Sequence, residues 1–292
     1  MKNFKKLALM GLTAVMSLSL LAACGGGTAG TANTPSGNSE TPSVEGTETP
    51  AASGEFTTVE AGKLIMSTNA QFPPYEMVGD GEGYEGTGYE GIDVEIAYAI
   101  AQKLGLELVV DNMGFDASLQ AVQTGKSDIV MAGVTITDDR LEVMDFSDTY
   151  ANGIQVVIVP ENSDIATIDD LEGKLIGCQM GTTGYIYCSD TPENGGYGED
   201  AVIPYDDGAA AIQALMNGQV DCVVIDNAPA QAYVDANPGL KILDSEFANE
   251  DYAIGFAKGN TALKDAVNTA LSELIQDGTV QSIIDKYIPA EG

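Results

Sequence analysis

A repeat within the chain is the feature that most constrains its fold. The stretch LQAVQTGKSDIVMAG at 119–133 aligns without a gap with IQALMNGQVDCVVID at 212–226, at an offset of 93 residues. Each stretch has the pattern of a short helix, a glycine stop and an apolar strand that follows an aspartate. A second pair, GKLIMSTN at 62–69 and GKLIGCQM at 173–180, has the pattern of a strand ending at polar residues. The repeat predicts two halves of similar build.

Each half is predicted to contain a strand, a helix and a second strand reached by crossover, which is the unit of a parallel sheet flanked by helices. Asp116 and Asp207 are placed to cap the starts of the two helices, and Gly125 and Gly218 to end them. The stretch at 91–105 predicts a further helix, because its isoleucines recur four residues apart. Chance similarity between two such units is the alternative explanation of the repeat.

Two α/β lobes enclose a cleft, and ligands of such sheets bind beyond the carboxyl ends of the strands. Asn69, Gly133, Gln179 and Asp226 stand at these predicted strand ends. Arg140 lies in the loop region that follows Gly133. The sequence therefore places Arg140 beside a cleft rather than on an arbitrary surface.

Arg140 is the single arginine among the 12 basic residues of the chain. A guanidinium group holds a carboxylate or phosphate with two parallel hydrogen bonds, which a lysine cannot do. One interpretation is therefore that Arg140 binds an anionic group of a ligand. The other is a surface salt bridge with Asp138, Asp139 or Asp145.

Other polar residues of the predicted cleft extend this interpretation. Thr135 lies in the loop before Arg140, and the MGTTG stretch at 180–184 has the pattern of a helix start that presents N–H groups to an anion. Asp226 offers a negative charge for an ammonium group, or it caps the helix predicted after it. An anion site and an ammonium site in one cleft describe an α-amino acid. Phe72 and Phe115 are either part of the core or a platform for the ligand.

The composition excludes several classes of function. The chain has no histidine, which removes the usual general base, the histidine-containing triads and most zinc sites. Its 44 acidic residues give a net charge of −32, which argues against binding nucleic acid. No cofactor and no metal site is predicted.

The N-terminus carries an export signal. Lysines precede a short apolar stretch, and the LAAC sequence that ends at Cys24 is similar to the lipobox of bacterial lipoproteins. We therefore predict a signal peptide at 1–23 and lipid attachment at Cys24. An ordinary signal followed by a chance cysteine is the alternative. Residues 24–58 are rich in glycine, serine, threonine and proline and are predicted to be a flexible tether.

Three further cysteines, Cys178, Cys188 and Cys222, follow the tether. An odd number leaves at least one free thiol if Cys24 is lipidated. Cys178 and Cys222 lie in apolar strand-like runs, where cysteine usually packs as a small apolar residue.

The order of the motifs resembles that of the extracytoplasmic amino-acid-binding proteins of ABC importers, bacterial family 3 type. The stretches that carry the resemblance are FPPYE (72–76), GIDVEIAYAIAQKLG (91–105), FDASLQAVQTGKSDIVMAGVTITDDRLEVMDFSDTY (115–150), GTTG (181–184) and VDCVVIDNAPA (220–230). The resemblance covers about 62–288. It implies a solute-binding lipoprotein that captures a polar L-amino acid and delivers it to a membrane permease. It also implies a monomer held at the outer side of the cell membrane.

The resemblance implies a two-lobed, periplasmic-binding-protein-like α/β fold of type II. Each lobe would be a mainly parallel sheet flanked by helices, and two crossing hinge segments would join the lobes. On this basis lobe 1 comprises 59–152 and 250–292, and lobe 2 comprises 153–249.

The resemblance also implies roles for individual residues. The residues that match the family's ligand-carboxylate site are Arg140, Thr135, Thr182 and Thr183. Gly133 and Asp226 match the positions that receive the ligand ammonium. Phe72 and Phe115 match the aromatic residues that enclose the ligand side chain.

The class of side chain stays open. Asn69 and Gln179 match positions that set selectivity, and a pair of amides suits a neutral polar side chain. Glu76, Glu90 or the acidic insert GDGEGYEGTGYEG at 79–91, expected to form a solvated hairpin, could instead accept a cation.

Two other functions compete with transport. One is an amino-acid sensor that acts with a separate signalling partner. The other is a dehydratase on the same scaffold, whose chemistry would rest on carboxylates because histidine is absent. Since no pair of carboxylates has an informative spacing, we expect the chain not to be an enzyme.

Overall fold

The computed structural model describes residues 56–289. The predicted signal peptide at 1–23, Cys24 and the tether up to residue 55 lie outside the described residues. No helix among the described residues is long and apolar enough to span a bilayer.

The described chain alternates between strands and helices. The strands are β1 (Lys63–Thr68), β2 (Gln71–Phe72), β3 (Glu76–Val78), β4 (Tyr89–Glu90), β5 (Glu107–Asn112), β6 (Ile129–Val130), β7 (Met144–Pro160), β8 (Ile176–Gln179), β9 (Val202–Tyr205), β10 (Cys222–Asp226), β11 (Leu240–Ile242) and β12 (Ala248–Ala257). The helices are α1 (Ile92–Leu104), α2 (Phe115–Gln123), α3 (Asp138–Val143), α4 (Thr183–Ser189), α5 (Gly208–Met216), α6 (Asn227–Ala236), α7 (Thr261–Gln276) and α8 (Thr279–Tyr287).

The sheet topology follows the sequence repeat. In the first half β1 lies between β5 and β6 and is parallel to both. In the second half β8 lies between β9 and β10 and is likewise parallel to both. The helices α2 and α5, which precede β6 and β10, provide equivalent crossovers. The prediction of two α/β lobes, each with a mainly parallel sheet, is confirmed.

Two long strands connect the lobes. β7 and β12 pair antiparallel from Ala248 opposite Gln155 to Ala257 opposite Met144. β12 also pairs with β6 of the first half, and β7 pairs with β10 of the second. The two predicted crossing segments are therefore these strands, which carry hydrogen bonding continuously from one lobe to the other.

The helices confirm two of the sequence predictions and contradict a third. Ile92, Ile96 and Ile100 of α1 are fully buried, as the four-residue spacing predicts. The Asp207 side chain accepts a hydrogen bond from Ala210 N at 2.7 Å and caps α5. The prediction for Asp116 is wrong, because α2 begins at Phe115 with the extended residue Gly114 at its N-cap, which places Asp116 inside the first turn.

The acidic insert at 79–91 forms an antiparallel hairpin between β3 and β4, to which β2 adds a third strand. The hairpin is less solvated than expected. Tyr84 packs edge-on against Tyr98 of α1, with ring centroids 5.4 Å apart. The insert therefore extends the first lobe along α1.

The three cysteines of the described chain are all free and buried. They belong to one apolar cluster of the second half. The prediction that Cys178 and Cys222 pack within apolar strands is confirmed.

Candidate functional site

Polar residues converge where the parallel strands end. Asn69 follows β1, and Gly133 follows β6 by three residues. In the other half Gln179 is the last residue of β8, and Asp226 is the last residue of β10. The carboxyl ends of the parallel strands of both halves face one cavity.

Every residue predicted to bind the ligand lines this cavity. The residues from the first half are Asn69, Phe72, Phe115, Gly133, Thr135 and Arg140. The residues from the second half are Gln179, Thr182, Thr183 and Asp226. The cavity also contacts Glu76, which the sequence offered only as one of several acceptors for a cation, and Ala132, which was not predicted.

Arg140 is buried, with 8% of its surface exposed, although the flanking Asp138 and Asp139 are exposed. None of the ion pairs formed within residues 56–289 includes Arg140. Asp145 instead pairs with Lys258 at 2.9 Å. The surface salt bridge that the sequence left open is therefore not formed.

The Arg140 guanidinium is held from both halves. Nη1 donates to the Thr135 carbonyl oxygen at 2.9 Å, and Nη2 donates to the Gly181 carbonyl oxygen at 3.1 Å. The group also lies over the Phe115 ring, 5.5 Å from its centroid. Burial lowers the pKa of Arg140, and Glu250 is the carboxylate that most opposes this effect. The geometry fixes the guanidinium at the cavity wall and leaves a buried positive charge without a salt bridge.

The side chains of Thr137 and Thr182 cap the helices that follow the two loops of the site. The Thr137 hydroxyl accepts from Arg140 N at 3.2 Å and caps α3. The Thr182 hydroxyl occupies the equivalent position at the start of α4, where it accepts from Tyr185 N at 3.4 Å. These caps turn the chain at the point where each loop meets the cavity.

Asp226 does not cap the helix that follows it. It stands at the N-cap position of α6 but makes no side-chain capping bond. Its carboxylate instead accepts hydrogen bonds from the Tyr252 hydroxyl and from Gln155 Nε2, the latter at 2.8 Å. Burial and the nearby Glu250 raise the pKa of Asp226 to about 7, against the lowering effect of the two donors. Of the two roles that the sequence left open, the capping role is therefore excluded.

A buried polar network surrounds Asp226 at the junction of the two halves. Gln155 Nε2 also donates to Glu250 at 3.0 Å, and the Thr135 hydroxyl donates to the same Glu250 oxygen at 2.9 Å. Sequence reasoning missed Gln155, Glu250 and Tyr252. A polar residue within the apolar run IQVVIVP was the available signal for Gln155.

A second pair of buried acids lies behind Gly133. Asp93 of α1 accepts from Gly133 N at 3.0 Å and from the Tyr150 hydroxyl at 2.7 Å. Burial raises the pKa of Asp93 to about 6. The pKa of the neighbouring Glu76 is raised well above its usual range by burial and by Asp93. Asp93 was missed by sequence reasoning, although an acid beside the buried Ile92 of an amphipathic helix was a signal.

Two further hydrogen bonds connect the two halves. Gln179 Nε2 donates to Asn69 Oδ1 at 2.9 Å. The Tyr233 hydroxyl of α6 donates to the Gln71 carbonyl oxygen at 3.1 Å. With the Arg140–Gly181 bond, these contacts describe a closed arrangement of the two halves.

The model of the bacterial extracellular solute-binding proteins, family 3, matches residues 64–290. The chain is 34% identical over 236 residues to a probable histidine-binding protein of Neisseria gonorrhoeae, which covers 79% of this chain and 85% of that protein. It is 31% identical over 233 residues to the arginine-binding extracellular protein ArtP of Bacillus subtilis (strain 168), with 78% and 87% covered. The structure of an ancestral arginine-binding protein bound to arginine matches with a TM-score of 0.70 and 39% identity, over 78% of this chain and 98% of that one.

Proposed function

The chain belongs to the bacterial extracellular solute-binding proteins of family 3, and from this membership we propose that it captures a polar L-amino acid for an ABC importer. The ligand would be held between the two lobes and delivered to a membrane permease. The observation that carries this proposal is the buried Arg140, which forms no salt bridge within residues 56–289 and shares one cavity with the buried Asp226.

The α-carboxylate of the ligand would bind Arg140. Each of the two terminal guanidinium nitrogens donates to one carbonyl oxygen, one in each half. The remaining N–H groups are free to donate to a carboxylate. Thr183 would add donors from the second half, whereas the Thr182 hydroxyl would have to exchange its bond to the Gln179 carbonyl oxygen, at 2.8 Å, for one to the ligand. The Thr135 hydroxyl is already committed to Glu250, so its backbone N–H, which donates to no other group within residues 56–289, would assist instead.

The α-ammonium would bind Asp226 and the carbonyl oxygen of Gly133. A cation beside Asp226 offsets the burial that raises its pKa, so binding would favour its ionised form. Phe72 and Phe115, both nearly buried, would enclose the side chain. A zwitterion therefore matches the two opposite charges of the cavity.

Relatives support an amino acid but not one class of side chain. Their names refer to histidine, arginine, cystine and glutamine. These names describe binding proteins rather than enzymes.

The location outside the cytoplasm follows from the family. We further propose lipid attachment at Cys24 and the lobe boundaries at 152/153 and 249/250, which fall within β7 and β12. A monomer is proposed as well. Labelling with a radioactive fatty acid in the wild type but not in Cys24→Ala would support the anchor, and equal labelling would exclude it.

A thermal-shift screen against the twenty amino acids tests the main proposal. A ligand at ~1000 times its Kd stabilises the folded state by about 4 kcal/mol, which for a body of this size raises Tm by roughly 8–16 °C. The shift should disappear in Arg140→Ala and persist in Lys126→Ala, which removes an exposed cation. If no amino acid shifts the Tm of the refolded wild type, the proposal is wrong.

A further inference from the structure

Glu76 is the cavity residue whose polar atoms the protein uses least. It is fully buried, and neither carboxylate oxygen accepts a hydrogen bond from any group within residues 56–289. In its acid form Glu76 can share a proton with Asp93, and the pKa of Glu76 is raised well above its usual range by burial and by that neighbour. A buried carboxylate without donors is costly. The cavity therefore contains a carboxyl group that can ionise when a suitable donor approaches it.

The amides of Asn69 and Gln179, which line the same cavity as Glu76, offer a ligand few donors. Gln179 Nε2 uses its hydrogens on Asn69 Oδ1 at 2.9 Å and on the Asp206 carbonyl oxygen at 3.3 Å. Asn69 Nδ2 donates one of its two hydrogens to the Met113 carbonyl oxygen at 2.9 Å and keeps one for a ligand. The Gln179 Oε1 atom accepts no hydrogen bond from the described residues. This end of the cavity consequently presents mainly oxygen acceptors.

The charges of the cavity also favour a ligand side chain that donates hydrogen bonds. In the proposed function Arg140 and Asp226 match the α-carboxylate and the α-ammonium of the ligand. Glu76 is then left without an opposite charge in the cavity. An ammonium or guanidinium group has donors and no acceptor, whereas an amide side chain also needs a donor for its carbonyl oxygen.

We propose that the cavity selects an L-amino acid with a cationic side chain, which donates to Glu76 and to the oxygen atoms of Asn69 and Gln179. This proposal rests on the proposed function, because the α-amino and α-carboxyl groups orient the side chain toward Glu76. Ionisation of Glu76 against the ligand releases the proton of its acid form. The acidic hairpin at 79–91 does not line the cavity and takes no part in this selection.

Titration calorimetry with matched ligands tests the proposal. L-arginine is compared with L-citrulline, which has the same length and no charge, and L-lysine with L-norleucine. Loss of one partner of a buried charged pair weakens binding by roughly 30-fold or more. Arginine or lysine should therefore bind the wild type at least that much more tightly than citrulline or norleucine, respectively. In Glu76→Gln this preference should disappear while citrulline or norleucine binding is retained. Glu90→Gln, which alters a half-buried acid outside the cavity, should keep it.

The outcomes separate this proposal from the proposed function. Wild-type protein that binds a neutral amino acid as tightly as arginine and lysine retains the receptor function and overturns cation selection. A preference that survives in Glu76→Gln overturns the role of Glu76. If no amino acid binds the wild type, the proposed function fails and this proposal fails with it.

Proton release provides a second measurement on the wild type, should Glu76→Gln not fold. Calorimetry in two buffers of different ionisation enthalpy should show that arginine releases more protons than citrulline. The titratable groups that face Glu76 are Asp93, Asp226, Tyr75 and Tyr150. Asp226 meets the ammonium of both ligands, so its contribution cancels in the comparison. Equal proton release with both ligands would contradict the proposal.

Discussion

Replacing Asp226 with asparagine should stabilise the ligand-free protein at pH 8 and weaken binding of all amino acids. The carboxyl group is buried, and its pKa is raised from 3.8 to about 7. Each pKa unit corresponds to about 1.4 kcal/mol, and the burial of charge therefore costs about 2–4 kcal/mol once the coupling to Glu250 is allowed for. An asparagine keeps the shape of the side chain and removes this cost.

The sign of the effect depends on pH. A carboxyl group whose pKa is raised on folding stabilises the fold below its unfolded pKa, near 4, and loses that contribution as the pH rises through about 7. The gain in Asp226→Asn should therefore be large at pH 8 and small at pH 4. Urea denaturation of the refolded, ligand-free protein at both pH values measures it.

A matched control is available on α6, the helix that follows Asp226. Asp235 is exposed and accepts a hydrogen bond from Gln231 at 2.7 Å, so Asp235→Asn should change stability little at either pH. Equal stability of the wild type and Asp226→Asn at pH 8 would refute the reasoning. So would a gain of the same size at pH 4, because it could not arise from burial of a charge.

Three further substitutions test other parts of the structure. Asp207→Ala removes the cap of α5 and should lower the free energy of unfolding by about 1 kcal/mol, whereas Asp116→Ala, which removes no cap, should lower it by less; urea denaturation compares them. Ile96→Ala should cost about 2–5 kcal/mol, a fall in Tm of roughly 4–20 °C, and a fall below 2 °C would contradict its full burial. Arg140→Lys should weaken amino-acid binding by about 10-fold or more, because a lysine cannot donate as a fork; unchanged affinity by calorimetry would exclude two-point binding of the carboxylate.

Much of the fold was predictable because the signals were local and repeated. The four-residue spacing of Ile92, Ile96 and Ile100 predicted α1, and Gly105 ends the helix in the left-handed region with φ 70. The capping role of Asp207 was correct, whereas that of its counterpart Asp116 was not. Asp116 lies two residues after the N-cap Gly114, and the extended backbone at Gly114 sets the start of α2.

The candidate site was predictable as a set of residues and not as a set of interactions. The repeat and the resemblance named all the residues that line the cavity except Ala132, with Glu76 named only as a possible acceptor for a cation. They could not decide between a salt bridge and a free guanidinium for Arg140, or between a cap and a ligand contact for Asp226. Both decisions depend on burial and on partners distant in the chain, such as Gly181 and Tyr252.

The sequence by itself determined the two α/β halves and the strand ends at which polar residues collect, because strand and helix periodicity and glycine stops are properties of short segments. Tertiary structure alone decided the electrostatics of the cavity. Glu76 meets Asp93 of α1, and Asp226 meets Glu250 of β12, only when the chain has folded. Burial then removes the water that would have screened these acids, and so their pKa values and the ligand charge that they favour cannot be read from residue order.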